Sequence, residues 1–377
     1  MDLVKEFNRA FTQRYQLAKE RKAQGQKVMG WVCIYVPEEI IYATGLHPIR
    51  VVGGINRETP LADSYLYSNN CTFSRSLLEE AFNHNLDFLD GLVACNTCDH
   101  IRRMYDAWIK YLQTPYTKIL GIPCKVSEAT LDYFAEELQL FRSGLEKAFG
   151  VTISDEALHE TIRLYNRSRS LLGRLYTLRG EDPPPMWGWE MAEVIRAGWA
   201  LPRPQYNELL ERFVDEVERR DRSPFADHFR LLLFGSELDD PQYIKGIEDQ
   251  GAVVVADLLC GGTRYFSQEV SEEGDPIRAL AYRYLTRPPC NRMHPSSDRV
   301  KMLQEAAQAF RVDGVIHESI KFCDNYAGQY IIMKQGLDAL GIPVLHLERE
   351  YIMSSVGQMK TRVGAFLEAM EGRQVRG

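Results

Sequence analysis

The sequence predicts an α/β protein in which two lobes with parallel sheets flank a mainly helical connecting region. Seven short β-rich runs recur along the 377 residues and alternate with longer segments of helical period. That alternation is the signature of parallel strands joined by right-handed crossovers. Between about residues 127 and 222 the pattern is almost wholly helical, which divides the chain into 1–126, 127–222 and 223–377. An internal echo spans the outer parts. Asp90-Gly91-Leu92-Val93, Cys98-Asp99 and Leu120-Gly121-Ile122-Pro123 return as Asp313-Gly314-Val315-Ile316, Cys323-Asp324 and Leu340-Gly341-Ile342-Pro343. Each copy reads strand, cysteine-bearing loop, helix, strand. Asp-Gly and Gly-Ile-Pro are common turn signals, so duplicated lobes and ordinary βαβ grammar both explain the echo.

The opening MDLVKEFNRAFTQRYQLAKERKAQGQ mixes acids, bases and apolar residues at helical spacing, and reads as an amphipathic helix rather than a signal peptide. Strands follow at 27–36, 88–95 and 118–124, with helices at 100–113 and 127–149. GEDPPPMWGW (180–189) is a loop whose prolines stop one helix and set up the next. Strands resume at 229–236, 251–260, 312–319 and 342–348, with a helix at 241–250. Near-continuous apolar runs of this length suit parallel strands covered on both faces.

Composition bounds the function. Hydrophobic residues make up 45% and charged residues 26%, a soluble globular balance. The formal charge of −7 gives no global field that would attract nucleic acid or an anionic membrane, so neither is expected as a partner. The most apolar stretch, Ala252 to Leu259, is too short to span a bilayer and is interrupted by Asp257. A cytoplasmic location is expected, with thiols reduced or metal-bound. No G-x-x-x-x-G-K-[ST] and no G-x-G-x-x-G after a strand is found, so any nucleotide hydrolysis would fall to another polypeptide. G-x-S-x-G and His-Glu-x-x-His are also missing, leaving hydrolase chemistry unsupported.

The eight cysteines are more informative by position than by number. Cys71 follows Ser68-Asn69-Asn70, Cys95 and Cys98 form C-N-T-C, and Cys124 closes KILGIPC. Cys260 precedes Gly261-Gly262, Cys290 follows two prolines, and Cys323 opens the helix after VDGVIHES. Cys33 reads as a buried hydrophobe in mid-strand. Ligands of open α/β sheets bind beyond the carboxyl ends of the strands, so thiols gathered there point to a metal site. No second Cys-x-x-Cys or His-x-x-x-His completes a zinc finger. Soft ligands scattered over long separations favour an iron–sulfur cluster held between lobes. Packed core thiols are the plain alternative.

Longer strings carry a resemblance. YVPEEIIYATGLHPIRV (35–51), NNCTFSRSLLEEA (69–81), LVACNTCDHIRRMYD (92–106), LFGSELDDPQYIKGIE (233–248), ADLLCGGTRYF (256–266) and FCDNYAGQYIIMKQGLDALGIPVLHLE (322–348) resemble the family of benzoyl-CoA reductases and 2-hydroxyacyl-CoA dehydratases. The match covers nearly the whole chain with its motifs in order. NNCTFSRS and ACNTCDHIRR most resemble the smaller cluster-bearing subunit of ATP-dependent benzoyl-CoA reductase.

The resemblance implies two Rossmann-like lobes with an iron–sulfur cluster between them. It implies a homologous second cluster-bearing subunit, an ATPase activator component with its own iron–sulfur cluster, and ferredoxin as electron source. ATP would be used only by that partner. Cys71, Cys98 and Cys323 match the three ligands of a four-iron (4Fe-4S) cubane. Cys95, Cys260 and Cys290 are additional, and six thiolates would suit a double-cubane (8Fe-9S) cluster, with Cys124 competing for any vacancy. The substrate would be an aromatic acyl-CoA for a reductase or a 2-hydroxyacyl-CoA for a dehydratase. A double-cubane reductase without an acyl-CoA substrate is the third option.

Ring reduction needs protons as well as electrons, and His47, His294 and Tyr35 lie near the motifs as candidate donors. Their plain readings are turns before Pro48 and Pro295 and a core tyrosine. Arg264 and Arg292, with Arg102 and Arg103, lie beside the cysteine loops and are candidates to pair with CoA phosphates or an anionic cluster, solvated helix-face charge being the plain reading of Arg102 and Arg103. Gly261, Gly262 and Thr263 are candidates to donate hydrogen bonds to cluster sulfur. Ser236-Glu237 follows a strand at a ligand-facing position, where Ser236 could equally cap a helix.

Overall fold

The computed structural model describes residues 2–54, 58–352 and 356–374. Among the described residues, eight strands form two sheets. The first contains β1 (Val28–Trp31), β2 (His47–Arg50), β3 (Gly91–Cys95) and β4 (Tyr116–Leu120) in the order β2-β1-β3-β4. The second contains β5 (Phe229–Gly235), β6 (Ala252–Leu258), β7 (Gly314–Ile320) and β8 (Val344–Arg349) in the order β6-β5-β7-β8. Every pairing is parallel. Counted from its own first strand, the second sheet repeats the order of the first, so the echo in the sequence is one of topology.

The echo also has an atomic counterpart. Asp90 donates its backbone N–H to the Val28 carbonyl and accepts the Val28 N–H on Oδ2, both at 2.8 Å. Asp313 does the same with Arg230, at 2.8 and 2.7 Å. In each sheet this aspartate clips the start of the third strand to the first. The glycine that follows permits close packing: a Cβ on Gly91 would lie 2.7 Å from the Met29 side chain, and one on Gly314 2.6 Å from Met370 Sδ.

Three local expectations change. The opening helix is two, Leu3–Thr12 and Arg14–Ala23, meeting at Gln13. β2 replaces the turn expected around His47. Its proline hid it, yet β2 is an edge strand, where a missing N–H is tolerated. The run at 27–36 leaves the sheet after Trp31, because Cys33 takes a left-handed φ of 76° and turns the chain. Cys33 is therefore a half-buried loop residue, and the mid-strand reading is corrected.

Four helices, Glu128–Phe149, Asp155–Arg179, Gly188–Ala197 and Arg203–Glu218, form the connecting region. Ser127 and Ser154 cap the first two, and Gly150 ends the first with a φ of 68°. One apolar core runs from Trp31 and Val93 of the first sheet through Phe134, Leu172 and Tyr206 to Leu280 and Met293. Buried ions cross the same boundary. Arg169 pairs with Glu39, Arg203 Nη2 lies 3.0 Å from Glu38 Oε2, and Arg179 Nη1 lies 3.3 Å from Asp257 Oδ2. Among the described residues, no helix is long and apolar enough to cross a membrane.

Candidate metal centre

Cys71, Cys98 and Cys323 occupy the same local position. Each is the N-cap residue of a helix, Thr72–Phe82, Asp99–Tyr111 and Asp324–Ala327 respectively. Cys98 Sγ accepts the Ile101 N–H at 3.4 Å, as a capping oxygen would. The two longer helices also turn the positive ends of their dipoles toward the sulfurs, which favours thiolate. All three thiols pack on one apolar core that draws Phe73, Leu77 and Ile101 from the first half and Ile320 and Tyr351 from the second. Burial, followed by the nearby Cys71, pushes the Cys98 thiol up to about 12. The same two causes hold Cys323 well above the ordinary thiol range, and burial raises Cys71. A bound cation inverts this logic, since a coordinating thiol gives up its proton.

A second set of thiols belongs to the other core, with Cys95 and Cys290 buried and Cys33 and Cys260 packed against it. Cys95 ends β3 and hydrogen-bonds Cys33, which holds the Cys33 thiol down to about 5; burial, and after it the same bond, pushes Cys95 well up. Thr97 Oγ1 donates to Cys33 Sγ at 3.5 Å. Arg264 Nη1 lies 3.0 Å from Cys260 Sγ. Burial pushes Cys260 up to about 12, with Arg264 pulling it back. Cys290 adds, after burial, to the upward push on Cys98, Cys260 and Cys323. Cys124 is exposed. Among the described residues, no three His, Cys, Asp or Glu side chains form a ready-made ligand set. The donor chemistry nonetheless fits iron–sulfur coordination, because soft thiols gather in the crevice beyond the carboxyl ends of the strands, three of them at helix N-caps.

The other candidate residues divide by place. Tyr35 is in the crevice: its Oη is 3.5 Å from the Cys290 backbone nitrogen, the Arg287 guanidinium lies 4.5 Å from its ring centroid, and burial raises its pKa. His47 pairs with Val28 at the start of the sheet, the opposite end from the cysteines, and burial lowers it to about 4. His294 is exposed and gives its backbone N–H to the Cys124 carbonyl at 2.7 Å. Arg292 donates to the Ile122 and Pro123 carbonyls at 2.8 and 2.7 Å, fastening the Cys290 loop to the end of β4. Arg102 and Arg103 are exposed, and Arg103 pairs with Asp106 at 2.8 Å.

The glycine turn after Cys260 serves packing. Gly262 gives its N–H to the Leu259 carbonyl at 3.2 Å and Thr263 gives its own to Asp257 Oδ1 at 2.7 Å, so these amides are spent within the turn. A Cβ on Gly262 would fall 1.8 Å from Asp257 Oδ1, and one on Gly261 3.0 Å from the Trp199 ring. Ser236 does not cap the next helix, which Asp240 caps; its Oγ accepts the Ile320 N–H at 2.7 Å.

Two features escaped the sequence. Glu237 forms a buried ion pair across the crevice with Arg50 at 2.7 Å, and the Arg50 guanidinium lies 4.1 Å from the Trp199 ring centroid. His100 contacts the Cys71 loop. Both join residues far apart in the chain. The NNC and CDH strings marked the neighbourhood of His100 without revealing its partner.

The 2-hydroxyglutaryl-CoA dehydratase, D-component family (HGD-D) matches residues 33–370. The chain is 30% identical over 309 residues to the C subunit of benzoyl-CoA reductase from Thauera aromatica, covering 79% of each. It is 26% identical over 359 residues to the (R)-phenyllactyl-CoA dehydratase beta subunit of Clostridium sporogenes, covering 94% of each. A more distant likeness, 23% over 184 residues, links it to the B subunit of the same Thauera reductase, covering 45% of this chain and 42% of that one.

Proposed function

The chain belongs to the 2-hydroxyglutaryl-CoA dehydratase D-component family, and from that premise we propose that it is the iron–sulfur subunit of an ATP-dependent reductase delivering low-potential electrons to an aromatic acyl-CoA. The observation that carries the reading is that Cys71, Cys98 and Cys323, each the N-cap residue of its helix and drawn from both halves of the chain, pack on one apolar core. They would hold a four-iron cluster, which when bound supplies single electrons at low potential. The remaining work belongs to the chain. Phe73, Leu77 and Tyr351 keep water from the thiols. Tyr35 is the best-placed proton donor, since it alone among the three candidates stands beside a crevice cysteine.

On this reading the chain pairs with a homologous cluster-bearing subunit and receives electrons from ferredoxin through an ATPase activator with its own iron–sulfur cluster, all in the cytoplasm. The likeness to both subunits of one reductase supports the pairing. Electron stoichiometry tests it. With partner subunit, activator and reduced ferredoxin, benzoyl-CoA should consume electrons and ATP in proportion to product. Turnover of a 2-hydroxyacyl-CoA after a single activating reduction would instead assign the chain to a dehydratase, as the phenyllactyl-CoA relative suggests.

The second thiol set favours one further reading. Cys95, Cys260 and Cys290, with Cys33 beside them, offer ligands beyond the three a cubane uses, which suits a double-cubane cluster in a reductase of small molecules. Failure to bind any acyl-CoA, with about twice the iron per chain, would support it.

A further inference from the structure

We propose that His100 is a positioning residue that sets how the three cysteine-bearing segments approach one another, an inference that rests on their role as iron–sulfur ligands. His100 lies in the first turn of the helix capped by Cys98 and is only 9% exposed. Its Nδ1 accepts the backbone N–H of Cys71 at 3.1 Å. That bond fixes the tautomer, so the ring proton of the neutral imidazole is on Nε2. Nε2 stands 3.5 Å from Oδ2 of Asp324, the residue after Cys323. One imidazole therefore touches the segments that carry Cys71, Cys98 and Cys323. Neither contact is to sulfur. His100 acts through the backbone that bears one thiol and the side chain next to another, as outer-sphere partners of metal ligands do.

The two contacts are separable. Asn at position 100 places an amide oxygen near Nδ1 and keeps the Cys71 bond while losing reach to Asp324. Gln extends toward Nε2 and keeps contact with Asp324 while losing the acceptor for Cys71. The Cys71 contact is the buried one, because the Asp324 side chain is 80% exposed. His100→Asn should therefore resemble the wild type more closely than His100→Gln.

The experiment loads the wild type, His100→Asn and His100→Gln with iron and sulfide under anoxic conditions. It follows iron release to a chelator and the midpoint potential. Loss of an outer-sphere partner typically costs about 10- to 100-fold in metal affinity, so His100→Gln should release iron at least about tenfold faster, with a displaced potential. His100→Asn should hold it nearly as long as the wild type. Equal release from all three chains, or equally fast release from both variants, would overturn the role of His100. Failure of the wild type itself to hold iron would instead overturn the ligand assignment beneath it.

Discussion

Arg264 Nη1 lies 3.0 Å from Cys260 Sγ and 2.8 Å from the hydroxyl of Tyr326, although the arginine is only 2% exposed. A buried cation against a thiol favours the thiolate that a metal needs. Arg264 thus faces the crevice rather than solvent, and a phosphate of CoA would have to displace its present partners to reach it.

The first prediction concerns that contact. In the metal-free chain, Arg264→Met should push the Cys260 thiol still higher and slow its alkylation at fixed alkaline pH by about tenfold, the loss expected for one charge-assisted hydrogen bond. Mass-spectrometric alkylation rates at Cys260 measure it. Unchanged rates would show that the guanidinium does not act on the sulfur.

The Arg50–Glu237 pair makes a stability prediction. Both side chains are buried, at 1% and 9% exposure. Glu237→Gln leaves the guanidinium without its counter-charge and should destabilise the chain by about 3–5 kcal/mol in urea unfolding. Arg50→Met combined with Glu237→Leu removes both charges and should recover most of the loss. A single variant as stable as the wild type would contradict a coupled pair.

Acid sensitivity follows from a buried imidazole. His317 packs against Phe234, Tyr330 and His346, neither ring nitrogen has a hydrogen-bond partner among the described residues, and burial lowers it from 6.5 to about 3. With the folded pKa below the unfolded one, the unfolded chain binds more protons in that window. Stability should fall as pH drops from about 6.5 toward 3, and His317→Phe should flatten part of the slope. Urea midpoints across that range test the sign. An unchanged slope in the variant would place the acid sensitivity elsewhere.

Much of this was legible in the sequence. The strand-helix alternation specified two parallel sheets, and the repeated Asp-Gly step marked the clip that opens β3 and β7. The order of strings such as NNCTFSRS and ACNTCDHIRR fixed the family. What escaped depended on distance in the chain or on backbone conformation. Pro48 disguised β2 because a sequence does not say which strand is at an edge. Cys33 looked like a strand residue because its left-handed turn leaves no mark in an apolar run. Arg50 and Glu237, 187 residues apart, give no local sign of pairing. Arg292 looked available to a ligand until its guanidinium was found on two backbone carbonyls.

Cysteine replacement separates the thiol sets. Cys71→Ser, Cys98→Ser and Cys323→Ser should each abolish or sharply reduce bound iron, whereas Cys124→Ser, at an exposed position, should leave it unchanged. Cys95→Ser, Cys260→Ser and Cys290→Ser decide nuclearity. Iron content that falls by about half in these variants supports a double cubane, and no change supports a single four-iron cluster.

The most direct test of the central claim is iron and acid-labile sulfide analysis of the chain purified without oxygen, beside Cys98→Ser prepared identically. The account predicts about four irons or more per wild-type chain with matching sulfide, and little of either in the variant. A wild-type chain without iron under strictly anoxic handling, or a Cys98→Ser chain with the full complement, would contradict it.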